Sequence, residues 1–261
     1  MLYQLRGALS MDKYYITDTA FEKIFIWLGD QKNVYCKNPD KTRMFLEGVY
    51  FIMRTGAQWI ELPKYYGNYK SIHRRFICWS KKGIWNDLHA HFAIDHDGES
   101  FMIDGSVVRA HACASGYQKG KQEEQALGRS KGGFSTKIHA LVDALGNPIK
   151  FILTPGQSSE IKQAPELIKD IHNANILGDK AFDCDEFIQQ IESQNCIPVI
   201  PSRSNRKVQR DVDYYLYKER HLIECFFSKI KHFRRIFSRF DKMAEAYMGF
   251  LAFASTIIWL R

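Results

Sequence analysis

FMIDGSVVRAHA, residues 101–112, is the stretch that decides the fold. It follows the turn-forming DHDGES of 95–100 and reads as a strand, so the chain changes period at this point. It also carries an acid, Asp104, inside an otherwise apolar MIDGSVV. A carboxylate in a strand costs free energy unless it is paired, hydrogen-bonded or bound to a cation. Asp104 is therefore a candidate functional residue, with the capping of a bulge as the structural alternative.

Downstream, KIHALVDALG and NPIKFILTPG (137–156) read as a hairpin turning at Gly146-Asn147, and SSEIKQAPELIKDIH (158–172) as a helix capped by Ser158 or Ser159. NILGDKAF (175–182) reads as a strand with Asp179 at its end, CDEFIQQIESQ (184–194) as a helix, and CIPVIPS (196–202) as a strand. A long basic helix follows from Tyr217. A three-stranded meander followed by alternating helices and strands is the order of an α/β, ribonuclease-H-like mixed sheet flanked by helices. The Gly-, Lys- and Gln-rich stretch 114–135 reads as a long mobile loop.

Upstream, residues 17–92 have helical period: Thr17 or Asp18 caps a first helix stopped by Gly29, and Asp40 caps a second ended by Thr55-Gly56. In NYKSIHRRFICWSKKGIW (68–85), Ile72, Phe76 and Trp79 share one side while Arg74, Arg75, Lys81 and Lys82 are offered elsewhere. That pattern is similar to a helix-turn-helix recognition element, which would lay its cations along DNA phosphates. The expected division is a small all-helical DNA-binding domain at 1–94 and a catalytic domain at 99–261. The core strands and the closing helix all lie beyond residue 100, so the second domain is expected to fold alone.

On a helix at 100° per residue, Tyr217, Arg220, Glu224 and Lys231 share a sector of about 60°. Leu222, Ile223, Phe226, Ile230, Phe233, Phe237 and Phe240 lie opposite, with Glu219 projecting among them. In a ribonuclease-H-like sheet the first and fourth strands are neighbours, and the terminal helix crosses the same edge. Asp104, Asp179 and Glu224 are thereby expected together. Three carboxylates repel at neutral pH, and two Mg²⁺ ions, hard cations suited to all-oxygen sites, would relieve that and clamp an in-line phosphodiester displacement.

The net charge of +8 is unevenly spread. Residues 41–90 hold nine Lys/Arg against three acids and 203–242 twelve against five, whereas 138–196 hold four against nine, so basic flanks suited to a polyanion enclose an acidic centre suited to cations. Six cysteines without a C-x-x-C pair read as reduced core thiols of a cytosolic protein. Asp183 and Asp185 read as caps of the next helix, and His89 and His91 as the end of a helix. Met11 is as plausible a start as Met1, and MGFLAFASTIIWL (248–260), too short to span a bilayer, reads as a buried helix.

IDGSVVRAH, GDKAFD and Tyr217-x2-Arg220-x3-Glu224-x6-Lys231, with acids spaced 75 and 45 residues apart, resemble the DDE signature of bacterial insertion-sequence transposases, family five in particular, including the Tyr-Arg-Glu-Lys signature of the wider group. MRTGAQWIELPKYYGNYKSIHRRFICWSKKGIW resembles that family's DNA-binding region, and GRSKGGFSTKIHALVDALGNPIKFILTPGQ and IPSRSNR its core. The resemblance implies a transposase that binds the inverted repeats of its element, cleaves DNA using Mg²⁺ (Mn²⁺ substituting), and joins 3′ ends to target DNA. Asp104, Asp179 and Glu224 would be catalytic and metal-binding. Tyr217, Arg220 and Lys231, joined by Arg74, Arg75, Lys81, Lys82, Arg234 and Arg235, would contact DNA. Double-stranded DNA, a homodimer on it and a cytoplasmic, nucleoid-associated location complete the expectation. A catalytically silent DNA-binding derivative and a metal-dependent nuclease without strand transfer are the alternatives.

Overall fold

The protein is described by a computed structural model covering residues 15–32, 34–115, 123–130 and 132–261. The two candidate starts lie outside the described residues. Helix α1 (Asp18–Asp30) begins where the Thr17 side chain accepts from the Ala20 amide. Gly29 does not stop it; the chain leaves the helix at Gln31. Helix α2 (Pro39–Thr55) is capped by Asn38 instead of Asp40, takes Pro39 in its first turn, and ends at Gly56, which adopts the left-handed φ of 71°. Helices α3 (Tyr69–Lys81, capped by Asn68) and α4 (Ile84–Phe92) complete the helical region.

The sheet begins with β1 (Ser100–Ala110), and β2 (Gly128–Ser130), β3 (Gly133–Val142) and β4 (Pro148–Pro155) follow. Then come the short α5 (Ala164–Leu167), β5 (Asn175–Leu177), α6 (Asp185–Ser193) and β6 (Ile197–Val199). The main order is β4-β3-β1-β5-β6, antiparallel across β4-β3-β1 and parallel across β1-β5-β6. This is the ribonuclease-H-like mixed sheet expected of a meander followed by alternating units. Asp143 makes the β3–β4 turn, its carboxylate accepting from the Leu145 and Asn147 amides, with Gly146 at φ 78°.

Several elements differ from expectation for local reasons. Residues 158–172 are not one helix but a 3₁₀ turn at Glu160–Lys162 followed by α5, because Pro165 has no amide to donate and its ring clashes with a continuing helix. In the expected mobile loop, residues 116–122 and 131 lie outside the described residues, yet β2 pairs there with β3 and Glu123–Gln125 forms a turn.

The single helix expected from 217 is four pieces: α7 (Tyr214–Tyr217), a 3₁₀ turn at Lys218–Arg220, α8 (His221–Lys231) and α9 (Arg234–Phe237), after which β7 (Ser238–Arg239) pairs with the far end of β1. A 3₁₀ turn advances about 120° per residue. Glu219 is consequently exposed, not on the apolar face. The break after Lys231 likewise leaves Phe237 exposed, where a continuous helix would bury it.

Alternation along β1 sends Phe101 and Ile103 to one side and Met102 and Val108 to the other. Leu167, Phe187 and Ile191 of α5 and α6 cover the first side. On the second, Phe226 and Ile230 of α8 join a core that continues through α10 (Ala244–Trp259) into the N-terminal helices. Phe76 stacks on Phe250 at 4.3 Å between ring centroids, and Trp85 meets Phe253 at 4.9 Å. The closing helix is thus buried, as its composition predicts. Its cover, however, comes from α3 and α4, so the core on this face of the sheet is shared with the N-terminal helices.

The cysteines divide: Cys36 and Cys196 are buried, but Cys78, Cys113 and Cys225 are exposed, against the expectation of core thiols throughout. Among the described residues no helix is long and apolar enough to cross a membrane.

Candidate active site

Asp104 sits where β1 leaves its neighbour. The β1–β5 ladder pairs Met102 with Leu177, and continuing that register by two residues sets Asp104 level with Asp179, beyond the end of β5. The Asp104 carboxylate accepts from the Gly105 amide at 2.7 Å and from Arg220 Nη1 at 3.2 Å. Asp179 is not a strand residue: its carboxylate caps the 3₁₀ turn Lys180–Phe182 by accepting from the Ala181 amide at 2.8 Å. That leaves one oxygen uncommitted to the cap.

Glu224 comes to the same place from α8. Arg220, one turn earlier, donates to Glu224 Oε1 and to Asp104 Oδ2, joining the helix to the strand. Their exposures grade outward, with Asp104 and Arg220 at 20% and Glu224 at 56%. Burial pushes the Asp104 carboxyl up to about 6; the Gly105 amide and Arg220 oppose this, while Glu160 and Asp179 add to it. Burial would lower the Arg220 pKa, but Glu224 and Asp104 together hold it above its ordinary value. A half-buried anion with anionic neighbours is stabilised by any nearby cation.

With side chains as they stand, no three His, Cys, Asp or Glu groups among the described residues converge tightly enough to hold a metal ion. Three carboxylates alone would repel, but Arg220 stands between Asp104 and Glu224 as a neutralising neighbour. The donor set nevertheless fits hard divalent cations: acidic oxygens from three elements, one raised in pKa by its surroundings, with a guanidinium now between two of them.

The expected DNA-contact residues separate. Arg74, Lys81, Lys82 and Arg234 are exposed, and Tyr217 and Lys231 are half-buried, with Lys231 over the Phe227 ring at 5.9 Å. Arg75 and Arg235 are placed otherwise. Arg75 donates to Tyr35 O and Cys36 Sγ and stacks on Phe45 and Trp79. Arg235 is buried, forked onto Asp241 through Nε at 3.2 Å and Nη2 at 2.9 Å. Both guanidiniums are occupied within the fold, a role that a pattern of charged letters cannot distinguish from phosphate contact.

The Asp183–Asp185 pair belongs to a different device. Neither caps α6; Asp183, buried, accepts from Arg206, Arg210 and the Arg203 amide, and Asp185 from the same two arginines. Those bonds tie residues 203–210 to the turn after Asp179. His89 is likewise structural, buried against Pro148 O at 2.9 Å.

The sheet order, with acids brought in from β1, the turn after β5 and α8, is that of a ribonuclease-H-like α/β domain. Residues 95–257 match the transposase DDE domain family, and the chain belongs to it. Residues 16–89 match a second family, described as "Putative transposase of IS4/5 family". A Brucella ovis protein described as a putative transposase for insertion sequence element IS6501 is 41% identical over 132 residues, covering 49% of this chain and 99% of its own length. An uncharacterized Sinorhizobium fredii protein, y4sN, is 35% identical over 79 residues, 30% of this chain and 63% of that one.

Similar solved structures include the piggyBac transposase synaptic complex with hairpin DNA, at 17% identity and a TM-score of 0.40. That match covers 75% of this chain but half of the longer piggyBac chain. The Mos1 transposase paired-end complex follows at 11% identity and a TM-score of 0.28, over 88% of this chain and 90% of that one.

Proposed function

We propose that this protein is a transposase of the insertion-sequence family five type, which binds the inverted repeats of its own element, cuts their ends and joins the 3′ ends to target DNA. Asp104, Asp179 and Glu224 are its catalytic and metal-binding residues. The observation that supports this most directly is the junction at Arg220, which ties an acid on β1 to an acid on α8 beside the turn that carries Asp179.

When bound, a pair of Mg²⁺ ions, or Mn²⁺ in their place, would polarise the scissile phosphate and lower the pKa of the attacking oxygen. The chain's own part is to hold the three carboxylates from three rigid elements and to supply cations around them. Arg220, released from Asp104 and Glu224, would be free to grip a substrate phosphate, which its planar fork suits. Tyr217 and Lys231 flank it as the remaining members of the Tyr-Arg-Glu-Lys signature. Arg74, Lys81 and Lys82 on α3 and beside it, together with Arg234, are the phosphate contacts that set register on the duplex. Two ends must be brought together, so a homodimer acts on DNA.

The test is nicking and strand transfer on a duplex carrying the element's end. Asp104→Asn, Asp179→Asn and Glu224→Gln should each abolish cleavage while end binding, measured by mobility shift, survives. Normal cleavage by any of the three variants would remove that residue from the site, and normal cleavage by all three would end the reading.

A further inference from the structure

A fourth carboxylate, Glu160, lies close enough to Asp104 to act on it electrostatically and is not among the three acids of the site. Glu160 opens the 3₁₀ turn that follows β4. Its side chain runs across β1 at Gly105, the residue next to Asp104. A β-carbon placed there would lie 2.7 Å from Glu160 Oε1 and 2.8 Å from its Cγ, so the glycine is what lets the carboxylate come this close. Lys137, on β3 opposite Val107, holds it in place. Lys137 Nζ is 3.2 Å from Glu160 Oε1 and donates to Ser158 O at 2.8 Å. Glu160 and Lys137 are largely covered, at 22% and 13% side-chain exposure, so this is no freely waving surface pair. The Glu160 turn also packs on the Lys180–Phe182 turn that Asp179 caps.

We propose that Glu160 is an outer carboxylate of the active site: it supplies negative field and hydrogen-bond acceptors to a hydrated divalent cation held by Asp104 and Asp179, and Lys137 positions it. The inference rests on the reading of those two acids as cation ligands. Mg²⁺ gives up its water reluctantly and is bound through few direct protein ligands, so acceptors one water away contribute to its hold. The placement suits that role. Glu160 approaches across a bare glycine at the position where β1 and β5 separate, and its turn touches the turn of the second acid. Lys137 neutralises it while no cation is bound and would compete with one that is.

That competition separates a functional role from a structural one. Mn²⁺ binding to the full chain without DNA is measured by calorimetry or by the loss of the free-ion electron paramagnetic resonance signal, beside the melting temperature in a chelator. Glu160→Gln keeps the shape and an acceptor for Lys137, and should weaken Mn²⁺ by roughly tenfold, the size seen for residues that support ligands from behind. Its melting temperature in chelator should stay near wild type. Lys137→Met removes the competing cation, and should leave Mn²⁺ affinity unchanged or raise it even if the melting temperature falls. Wild-type Mn²⁺ affinity in Glu160→Gln, with Asp104→Asn binding poorly, overturns the role of Glu160 and leaves the site intact. Equal weakening in both the Glu160 and the Lys137 variants also overturns it, because the pair would then be scaffolding. Wild-type affinity in Asp104→Asn overturns the reading of the site itself.

Discussion

Arg220 is where charge and chemistry meet at the scale of single residues. Its guanidinium reaches Asp104 and Glu224 at once, so it links strand to helix before any substrate arrives. Arg220→Lys keeps the charge but has one nitrogen for two carboxylates, whereas Arg220→Ala leaves Asp104 half-buried beside Glu160 and Asp179 without its guanidinium partner. The alanine variant should be destabilised by about 1–2 kcal/mol, the cost of orphaning a partly buried charge pair after allowing for solvent. The lysine variant should melt close to wild type yet cleave more slowly in single turnover. Equal cleavage by lysine variant and wild type would reduce Arg220 to a structural clamp.

The sequence made Asp104 and Glu224 legible because an acid in an apolar strand and an acid among helical cations are both out of place. It did not make the Arg220 bridge legible, since that contact joins residues 116 apart. The bonds that Arg75 and Arg235 make within the fold are not legible either. Their partners, Cys36 and Asp241 respectively, become neighbours only through packing.

Among the elements, those with strong local signals are read well and those decided by a competing local rule are not. Helical period locates α1 to α3, although Asn38 rather than Asp40 caps α2 and Gly29 does not stop α1, and the apolar pattern with a turn at Gly146-Asn147 locates β3 and β4. Pro165 and the 3₁₀ turn at Lys218–Arg220 broke two helices whose apolar spacing alone looked continuous. The Asp183 cluster shows an element fixed by charge instead of by apolar spacing. Burial would raise the Asp183 pKa, but Arg206, the Arg203 amide and Arg210 hold it below the ordinary carboxylate range, so it contributes stability above that range and loses it as pH falls. Asp183→Ala should cost about 2–3 kcal/mol, less than a fully buried pair because Arg206 and Arg210 are 22% and 25% exposed and can regain water. It should also free residues 203–210 to faster amide exchange. Unchanged exchange there would show that the segment is held by its backbone contacts and not by these arginines.

In the molecule as a whole, the helical region and the sheet are stitched together around α10. Phe250 and Phe253 take their covering rings from Phe76 and Trp85, so removing residues 1–92 should leave a chain that aggregates or melts without a cooperative transition, contrary to the independent second domain that the order of elements suggests. Sequence order can place a boundary near residue 95, but it cannot show which helices share a core. The same seam carries a pH dependence. The Pro148 carbonyl, at the start of β4, accepts from His89 Nε2 of α4 at 2.9 Å and from Trp259 Nε1 of α10 at 2.8 Å, so both helices hang on one strand residue. A carbonyl can only accept, so His89 Nε2 carries the proton, and burial holds the ring neutral with its pKa lowered from 6.5 to about 4.

Between those values the unfolded chain binds the proton and the folded chain does not. Stability is therefore complete above pH 6.5 and falls as pH drops towards 4, by at most about 3 kcal/mol from this group. His139, also pushed to about 4 by burial and by Lys137, acts in the same direction, so the wild-type curve should be steep there. His89→Gln keeps a donor for Pro148 but cannot take a proton, and should flatten the fall in melting temperature between pH 6.5 and 4 while lowering it modestly at pH 7. Parallel wild-type and variant curves would mean that the ring already exchanges protons with solvent, and that the seam between helices and sheet opens more readily than its packing implies.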